Sequence, residues 1–197
     1  MAKIANCYGL FVNLRKNIMQ NMVKIRKVIE KQPILEQVRR LYESSFPEEE
    51  RRLWLDFQSN VYDNVAFCLY EIVSDGFFGG FLTSWDLGVV RYVEHFAIEP
   101  RLRGRGVGTE IIGQFVAMDS RPVVLETELP ETGEMARRRI GFYKRCGFEE
   151  CVNIDYVQPA YASHLPSVPM RLMITDKNNV DVNKVVQIIY RIVYNFE

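Results

Sequence analysis

The sequence predicts an α+β protein in which helices flank a central sheet that is mixed but mostly antiparallel. First, the turn-forming triplets Ser74-Asp75-Gly76 and Asp86-Leu87-Gly88 separate three strand-like segments, and such short separators indicate antiparallel hairpins. Second, the later strand-like segments alternate with segments whose apolar residues recur at the helical period. Third, the 197 residues are 48% hydrophobic, which allows one domain with a substantial core.

The elements before residue 65 are predicted to be a strand and two helices. Residues 23–29 alternate as a strand does, and Pro33 opens a helix whose apolar positions are helically spaced through Tyr42. A second helix is expected to follow, with Pro47 near its first turn. The acidic run Glu48-Glu49-Glu50 would then lie at the positive end of the helix dipole. We therefore interpret this run as a helix start rather than as a site.

The middle of the chain carries the predicted sheet. Three antiparallel strands are expected first, then a helix, a strand, a second helix and two further strands. Their predicted bounds, in that order, are residues 65–73, 77–85, 89–98, 107–118, 122–129, 134–146, 148–156 and 168–175.

The C-terminal segment has an amphipathic pattern. From Val180 to Phe196, apolar residues recur at steps of three and four, which predicts a helix with one apolar face. We interpret that face as packed on its own domain, with a homodimer contact as the alternative. The predicted organisation is an N-terminal extension of residues 1–22, a domain of residues 23–175 and a C-terminal helix within residues 176–197. A start codon upstream of Met22 would also explain the extension.

Composition argues against several classes of function. The 25 basic and 25 acidic side chains balance, so no global charge indicates a nucleic-acid partner. No run of about 18 apolar residues could span a membrane, and the apolar run near the N-terminus lacks a cleavage pattern, so we expect a cytoplasmic protein. Four cysteines without a CxxC pair, beside only two histidines, argue against a metal site.

A loop rich in glycine and arginine is the strongest functional signal. Gly104, Gly106 and Gly108 lie among Arg101, Arg103 and Arg105, between a predicted strand and a predicted helix, and amides at a helix N-terminus bind phosphate oxygens well. The loop therefore indicates a polyphosphate ligand. A P-loop would need a Gly-Lys-Ser/Thr ending, which is missing. A dinucleotide fold is the nearer rival because Glu126 lies twenty residues after Gly106, but the antiparallel strands before the loop oppose it.

Two motifs in register resemble those of the GNAT superfamily of N-acyltransferases. The first is Arg101-Leu102-Arg103-Gly104-Arg105-Gly106, which follows a strand that ends near Pro100 and is similar to the family pattern Arg/Gln-x-x-Gly-x-Gly/Ala. The second is the segment from Phe142 to Phe148, Phe-Tyr-Lys-Arg-Cys-Gly-Phe. The resemblance covers residues 23–175, and it is closest to small bacterial-type acetyltransferases.

The resemblance implies an enzyme that uses acetyl-CoA as co-substrate, without a metal, to acetylate a primary amine of an unidentified small molecule or peptide. A non-catalytic acyl-CoA-binding, sensing or assembly module of the same fold is the alternative. It also implies that the strand before the loop separates from the next strand and leaves a gap for the thioester. The implied coenzyme contacts are the strand residues Phe96, Ala97 and Ile98 for the pantetheine arm, and Arg103, Gly104, Arg105, Gly106, Val107, Gly108 and Thr109 for the pyrophosphate.

The resemblance assigns the acid role to Tyr143, as proton donor to the departing thiolate. Glu94 is the expected base, because strand alternation would put it on the face of Tyr92, Phe96 and Ile98. Glu126 and Glu128 compete for that role. The same alternation would turn His95 to the opposite face, where we expect it to be packed rather than catalytic. Acceptor specificity is expected to depend on residues 45–58 and 158–170. One departure from the family is Ala136, where many relatives have an asparagine.

Overall fold

A computed structural model describes residues 23–29 and 32–196. The predicted N-terminal extension, residues 1–22, lies outside the described residues. The strands are β1 Val23–Lys27, β2 Phe67–Ser74, β3 Phe77–Asp86, β4 Arg91–Ile98, β5 Val123–Glu128, β6 Glu149–Glu150, β7 Tyr156–Gln158 and β8 Val168–Ile174. The helices are α1 Gln32–Ser45, α2 Trp54–Asp63, α3 Val107–Val116, α4 Glu134–Arg145 and α5 Val182–Val193.

All eight strands form one sheet. Its order is β1-β2-β3-β4-β5-β8-β6, and β7 pairs with β8. The β4–β5 pair is parallel, whereas the other described pairs are antiparallel. This arrangement confirms the predicted α+β class and the mixed, mostly antiparallel sheet flanked by helices.

The sheet separates two apolar layers. On one face, a core rich in aromatic side chains includes Tyr42 of α1, Phe57 of α2 and Ile189 of α5. On the other face, a second core joins Ile112 of α3 and Ile140 of α4 to the sheet. The apolar stripe of α5 thus packs on its own domain, as the sequence indicates. Neither the division at residue 175 nor a homodimer is tested by this packing.

A β-bulge interrupts β4 at Glu94. Thr83 of β3 pairs with His95 and Ser84 pairs with Val93, so Glu94 has no partner on β3. A bulge of this kind places consecutive residues on one face and shifts the alternation after it. The sequence predicts that Glu94 lies on the same face as Phe96 and that His95 lies on the opposite face. Both parts of this prediction are therefore wrong.

The packing confirms this reversal. Glu94 lies with Tyr92 on the side of the aromatic core, where His95 also packs against Tyr42. Phe96 packs on the opposite layer, near the start of α3.

Gly80 allows β3 to approach β4 closely just beyond the bulge. Its φ of +149° is rarely adopted by residues with a side chain, and a Cβ at this position would lie 2.2 Å from the carbonyl oxygen of Ala97. A glycine is therefore required here by both conformation and space.

Two predicted elements have different bounds in the structure. The run Glu48–Glu50 forms a separate 3-10 turn, Arg51 is extended with φ of −138° and ψ of 146°, and α2 begins only at Trp54. The acidic run therefore forms a 3-10 turn of its own and is not the start of the α-helix that follows. The predicted strand 148–156 is divided into β6 and β7, because Ile154 N–H bonds back to the carbonyl of Cys151 and turns the chain between them.

Candidate active site

A cleft opens where β4 and β5 separate. The two strands pair from Arg91–Val123 to Val93–Leu125, and both then continue without pairing to each other. The resulting cavity has a volume of about 590 Å³. One part of the cleft, called the glycine end below, is lined by Gly104, Gly106, Gly108 and Thr109, but not by Arg105 or Val107. Glu50, Glu94, Glu126 and Glu128 also line the cleft, and this second group is called the acidic end.

The glycine end offers backbone donors rather than side chains. Gly104 and Gly106 have φ values of +73° and +81°, and a Cβ on either would meet nothing within 4 Å. Gly106 is the N-cap of α3, and no side chain caps this helix. The first-turn amides therefore lack a capping partner in an open space, which suits an anionic group such as a pyrophosphate.

The arginines of this loop are not equivalent. Arg103 Nε donates to the Ile98 carbonyl at 2.9 Å, and Arg101 donates to the Phe78 carbonyl at 2.8 Å. Both side chains thus brace the loop against the sheet. Arg105 is exposed, and its side chain makes no hydrogen bond or ion pair with the described part of the chain. Val107 is buried in an apolar cluster, so only its backbone could contact a ligand.

Tyr143 of α4 is a third part of the cleft lining. It lines the cleft and is 7% exposed. Its ring contacts Phe142 and Phe148, while its hydroxyl has no hydrogen-bond partner among the residues that the structure describes. Burial raises the pKa of Tyr143, so the hydroxyl stays protonated at neutral pH and can act as a proton donor.

Glu94 is buried, and both oxygens of its carboxylate accept hydrogen bonds. Its side chain is 0% exposed, and its Oε1 accepts from Arg52 at 2.8 Å and from Tyr161 at 3.0 Å. Its Oε2 accepts from Trp85 Nε1 at 2.8 Å. Burial alone would raise the pKa of Glu94, but the charge and hydrogen bonds of Arg52 outweigh burial and lower it. The carboxylate is therefore a stable anion and a poor proton acceptor.

Arg52 completes this ion pair from the segment before α2. Its guanidinium also donates to the Val193 carbonyl at 2.6 Å. The rings of Trp85, Tyr161 and Tyr194 lie 5.2, 4.9 and 5.9 Å from the guanidinium carbon. Because these distances are within the range of cation–π contacts, Arg52 links β3, β4 and the C-terminal helix.

Glu126 belongs to a second buried network. Its Oε1 accepts from the hydroxyls of Tyr92 at 2.6 Å and Tyr194 at 2.7 Å. Its Oε2 and the Tyr156 hydroxyl are buried without a hydrogen-bond partner in the described residues. Burial raises the pKa of Glu126, although the tyrosine hydroxyls, including that of nearby Tyr156, offset part of the effect.

Glu50 and Glu128 are the accessible carboxylates of the acidic end. Glu128 is 22% exposed along its side chain and pairs with Arg139 of α4 at 2.5 Å. Glu50 is partly exposed in the 3-10 turn. Burial, and next the charge of Glu128, raise the pKa of Glu50 to about 7. A carboxyl group with such a pKa can exchange protons near neutral pH.

Comparison with known proteins identifies this architecture. A family model for the acetyltransferase (GNAT) domain matches residues 61–150. A solved structure of a Bacteroides thetaiotaomicron protein assigned to the GNAT family of acetyltransferases is 32% identical, covers 88% of this chain and 99% of its own, and superposes with a TM-score of 0.81. The chain belongs to the GNAT family of acetyltransferases.

Other GNAT structures share the fold at lower identity. The ribosomal-protein-S18-alanine N-acetyltransferase from Escherichia coli is 14% identical, covers 81% of this chain and 99% of its own, and has a TM-score of 0.55. An aminoglycoside 6'-N-acetyltransferase complexed with coenzyme A is 16% identical, covers 77% of this chain and 95% of its own, and has a TM-score of 0.56. A search of curated protein sequences gave no match.

Within this GNAT cleft, the structure brings most of the predicted site residues together. Phe96, Ala97, Ile98, Tyr143 and Glu94 all line it. Arg105 and Val107 do not line the cleft. Among the residues described, no cluster of three or more metal-ligating side chains is present, and no helix is long and apolar enough to cross a membrane.

Several residues of this GNAT site have roles that the sequence pattern does not indicate. Arg52 and Glu50 lie inside the segment 45–58, which was expected to affect acceptor specificity, but their individual roles had no local signal. Tyr161 lies within residues 158–170, the second segment that was expected to affect acceptor specificity. Tyr194 was read only as part of an amphipathic helix, because nothing in its neighbours indicates that its hydroxyl reaches Glu126 at 2.7 Å.

Proposed function

We propose that this protein is an N-acetyltransferase that transfers an acetyl group from acetyl-CoA to a primary amine. The observation that carries the proposal is the cleft between β4 and β5, which joins a set of uncapped helix amides at the glycine end to carboxylates at the acidic end. The two GNAT relatives named above as N-acetyltransferases share this fold.

The glycine end would hold the donor. The amides of residues 104–109 would bind the coenzyme pyrophosphate, and the exposed Arg105 would add a cation. The pantetheine arm would lie along Phe96, Ala97 and Ile98, where β4 has no partner strand on the β5 side. The thioester would then lie near Tyr143, which lines the same cleft.

Tyr143 would act on the leaving group. When the amine attacks the thioester carbonyl carbon, the carbon–sulfur bond breaks and coenzyme A leaves as a thiolate. The Tyr143 hydroxyl, which has no hydrogen-bond partner among the described residues, would give its proton to that sulfur. Burial raises the pKa of Tyr143 and keeps the hydroxyl protonated at neutral pH, so a proton is available for that sulfur.

Glu94 as the general base stays a prediction, and the geometry does not favour it. A base must contact the amine, but the Glu94 side chain is 0% exposed and paired with Arg52. We propose that Glu94 instead anchors the bulge of β4 beside the reaction centre.

Thiol release from acetyl-CoA tests the proposed function. The purified protein would be assayed with a diamine, an amino sugar and a peptide with a free N-terminus, and release above the no-acceptor rate is expected with at least one of them. Coenzyme A, but not NAD, should raise the melting temperature. Binding of coenzyme A without turnover on any amine would instead indicate a binding or sensing module.

A further inference from the structure

The acidic end contains carboxylates of two kinds. Glu94 and Glu126 are sealed: the Glu94 side chain is 0% exposed, and Glu126 has one oxygen bonded to two tyrosines and the other buried. Neither can contact an acceptor in this arrangement. Glu128 is accessible but is neutralised by Arg139. Glu50 remains as a cleft-lining, partly exposed carboxylate that makes no hydrogen bond or ion pair with the described residues.

The backbone around Glu50 is fixed in place from several elements. The Glu50 carbonyl accepts from His95 Nε2 of β4 at 3.1 Å, and the Glu49 carbonyl accepts from Gln158 of β7 at 3.0 Å. The Arg52 amide donates to the Tyr42 hydroxyl of α1 at 2.6 Å. Such anchoring of a short turn is typical of a positioned functional group rather than a solvated acidic run.

We infer that Glu50 is the general base of the reaction and that it accepts a proton from an acceptor that enters the cleft as an ammonium. The inference rests on the proposed function. Aliphatic amines have pKa values near 10 and are protonated at neutral pH, so one proton must be removed before the nitrogen can attack.

The proton balance is complete with these groups. The Glu50 carboxylate takes one proton from the ammonium, and the neutral nitrogen forms its bond to the acetyl carbon as the carbon–sulfur bond breaks. Tyr143 protonates the thiolate. The nitrogen loses a second proton to solvent, solvent returns one proton to Tyr143, and Glu50 gives its proton to solvent, so that the amide, coenzyme A thiol and one released proton are the products.

The charges that face Glu50 determine how its activity depends on pH. The carboxylates of Glu128 and Glu126 from β5 and of Glu49 from the same turn raise its pKa, while Arg139 of α4 lowers it. His95 is buried and has a lowered pKa, so it contributes a neutral donor. Glu50 must be ionised to act, and activity should therefore fall as the pH drops through about 7.

Three substitutions test this assignment through kcat/KM for the best amine of the assay above, measured from pH 5 to 9. Glu50→Gln should lower kcat/KM about 100-fold at pH 8 and remove the acid limb of the profile. Glu128→Gln should shift that limb to lower pH, since it removes a like charge and frees Arg139. Arg139→Gln should shift the limb to higher pH, since it removes a neighbouring cation.

Glu48→Gln is the matched control, because Glu48 lies in the same turn with its side chain 63% exposed; its profile should equal that of the wild type. The stabilisation of each variant by coenzyme A should be unchanged, which separates a base from a donor-binding residue. Wild-type activity and an unchanged acid limb in Glu50→Gln would overturn the assignment and leave the proposed function intact. Absence of turnover on any amine in the wild type would overturn both.

Discussion

The two ends of the cleft are built in opposite ways. The glycine end is one continuous segment, exposed and composed of backbone amides with little side-chain bulk. The acidic end takes its charged and aromatic side chains from the turn before α2, from β4, from β5 and from the end of α5, and most of these side chains are buried. In the proposed function, a local segment would therefore bind the donor, while a dispersed network would form the acceptor side.

Because the two ends are built differently, substitutions at them should have different consequences. At the glycine end, a change alters the local backbone and the space for a ligand, so it should affect binding more than folding. At the acidic end, ion pairs and tyrosine hydroxyls join four parts of the chain, so a change there should affect stability as well as chemistry.

The largest effect is expected for Arg52→Met, which would test whether the acidic end supports the fold. The change leaves the buried carboxylate of Glu94 without its cation, and we expect the free energy of unfolding to fall by about 3–5 kcal/mol in chemical denaturation at pH 7. Arg39→Met is the control, because Arg39 pairs with Glu43 on the surface at 2.9 Å, and its loss should cost less than about 1 kcal/mol.

The pH dependence of the Arg52→Met effect sharpens this test. The folded pKa of Glu94 lies below its ordinary value. The stabilisation by the ion pair is therefore present above the unfolded pKa and is lost as the pH falls through the folded pKa. The difference in stability between the two proteins should narrow on acidification, and a difference independent of pH would show that lost packing, not lost charge, causes the effect.

Tyr143→Phe should have the next largest effect, on rate and not on binding. Removal of the proton donor should lower kcat about 100-fold, equivalent to about 2.7 kcal/mol of transition-state stabilisation. The melting-temperature increase caused by coenzyme A should be retained, because the ring still fills its buried position. An unaffected kcat would remove the acid role from Tyr143.

Gly106→Ala should affect the glycine end alone. The new Cβ would occupy open space at the helix N-terminus, and its conformation at φ of +81° is strained, so affinity for coenzyme A should fall about tenfold, or about 1.4 kcal/mol. Gly76→Ala is a close control, with φ of +82° and equally open surroundings in the β2–β3 turn. Calorimetry would measure the affinity of both variants for coenzyme A. An equal loss of affinity in the two variants would contradict a local binding role for Gly106.

Glu50→Gln is expected to give the smallest effect on stability, with the opposite sign from Arg52→Met. Because the folded pKa of Glu50 is raised to about 7, its ionisation opposes folding progressively between its unfolded pKa and about 7. Removing the charge should stabilise the protein by about 1 kcal/mol at pH 8, after allowance for partial exposure, and the gain should shrink toward pH 4.5. A loss of stability at pH 8 would mean that Glu50 is held by attractive contacts.

The sequence by itself determined the α+β class, most element positions and the glycine end. These features depend on periodicity, on turn residues and on glycines that adopt positive φ, all of which act within a few residues of one another. The apolar pattern of residues 134–146 likewise placed Tyr143 on the correct helix, because periodicity within one helix is local information.

Only the tertiary structure decided the acidic end. The bulge at Glu94 depends on its pairing with β3 and reverses the faces predicted for Phe96 and His95. The pairing of Glu94 with Arg52, the contact of Tyr194 with Glu126 and the raised pKa of Glu50 each join groups that are remote in the chain. Charge–charge interactions and burial depend on distances in space, and periodic patterns along a sequence do not encode those distances.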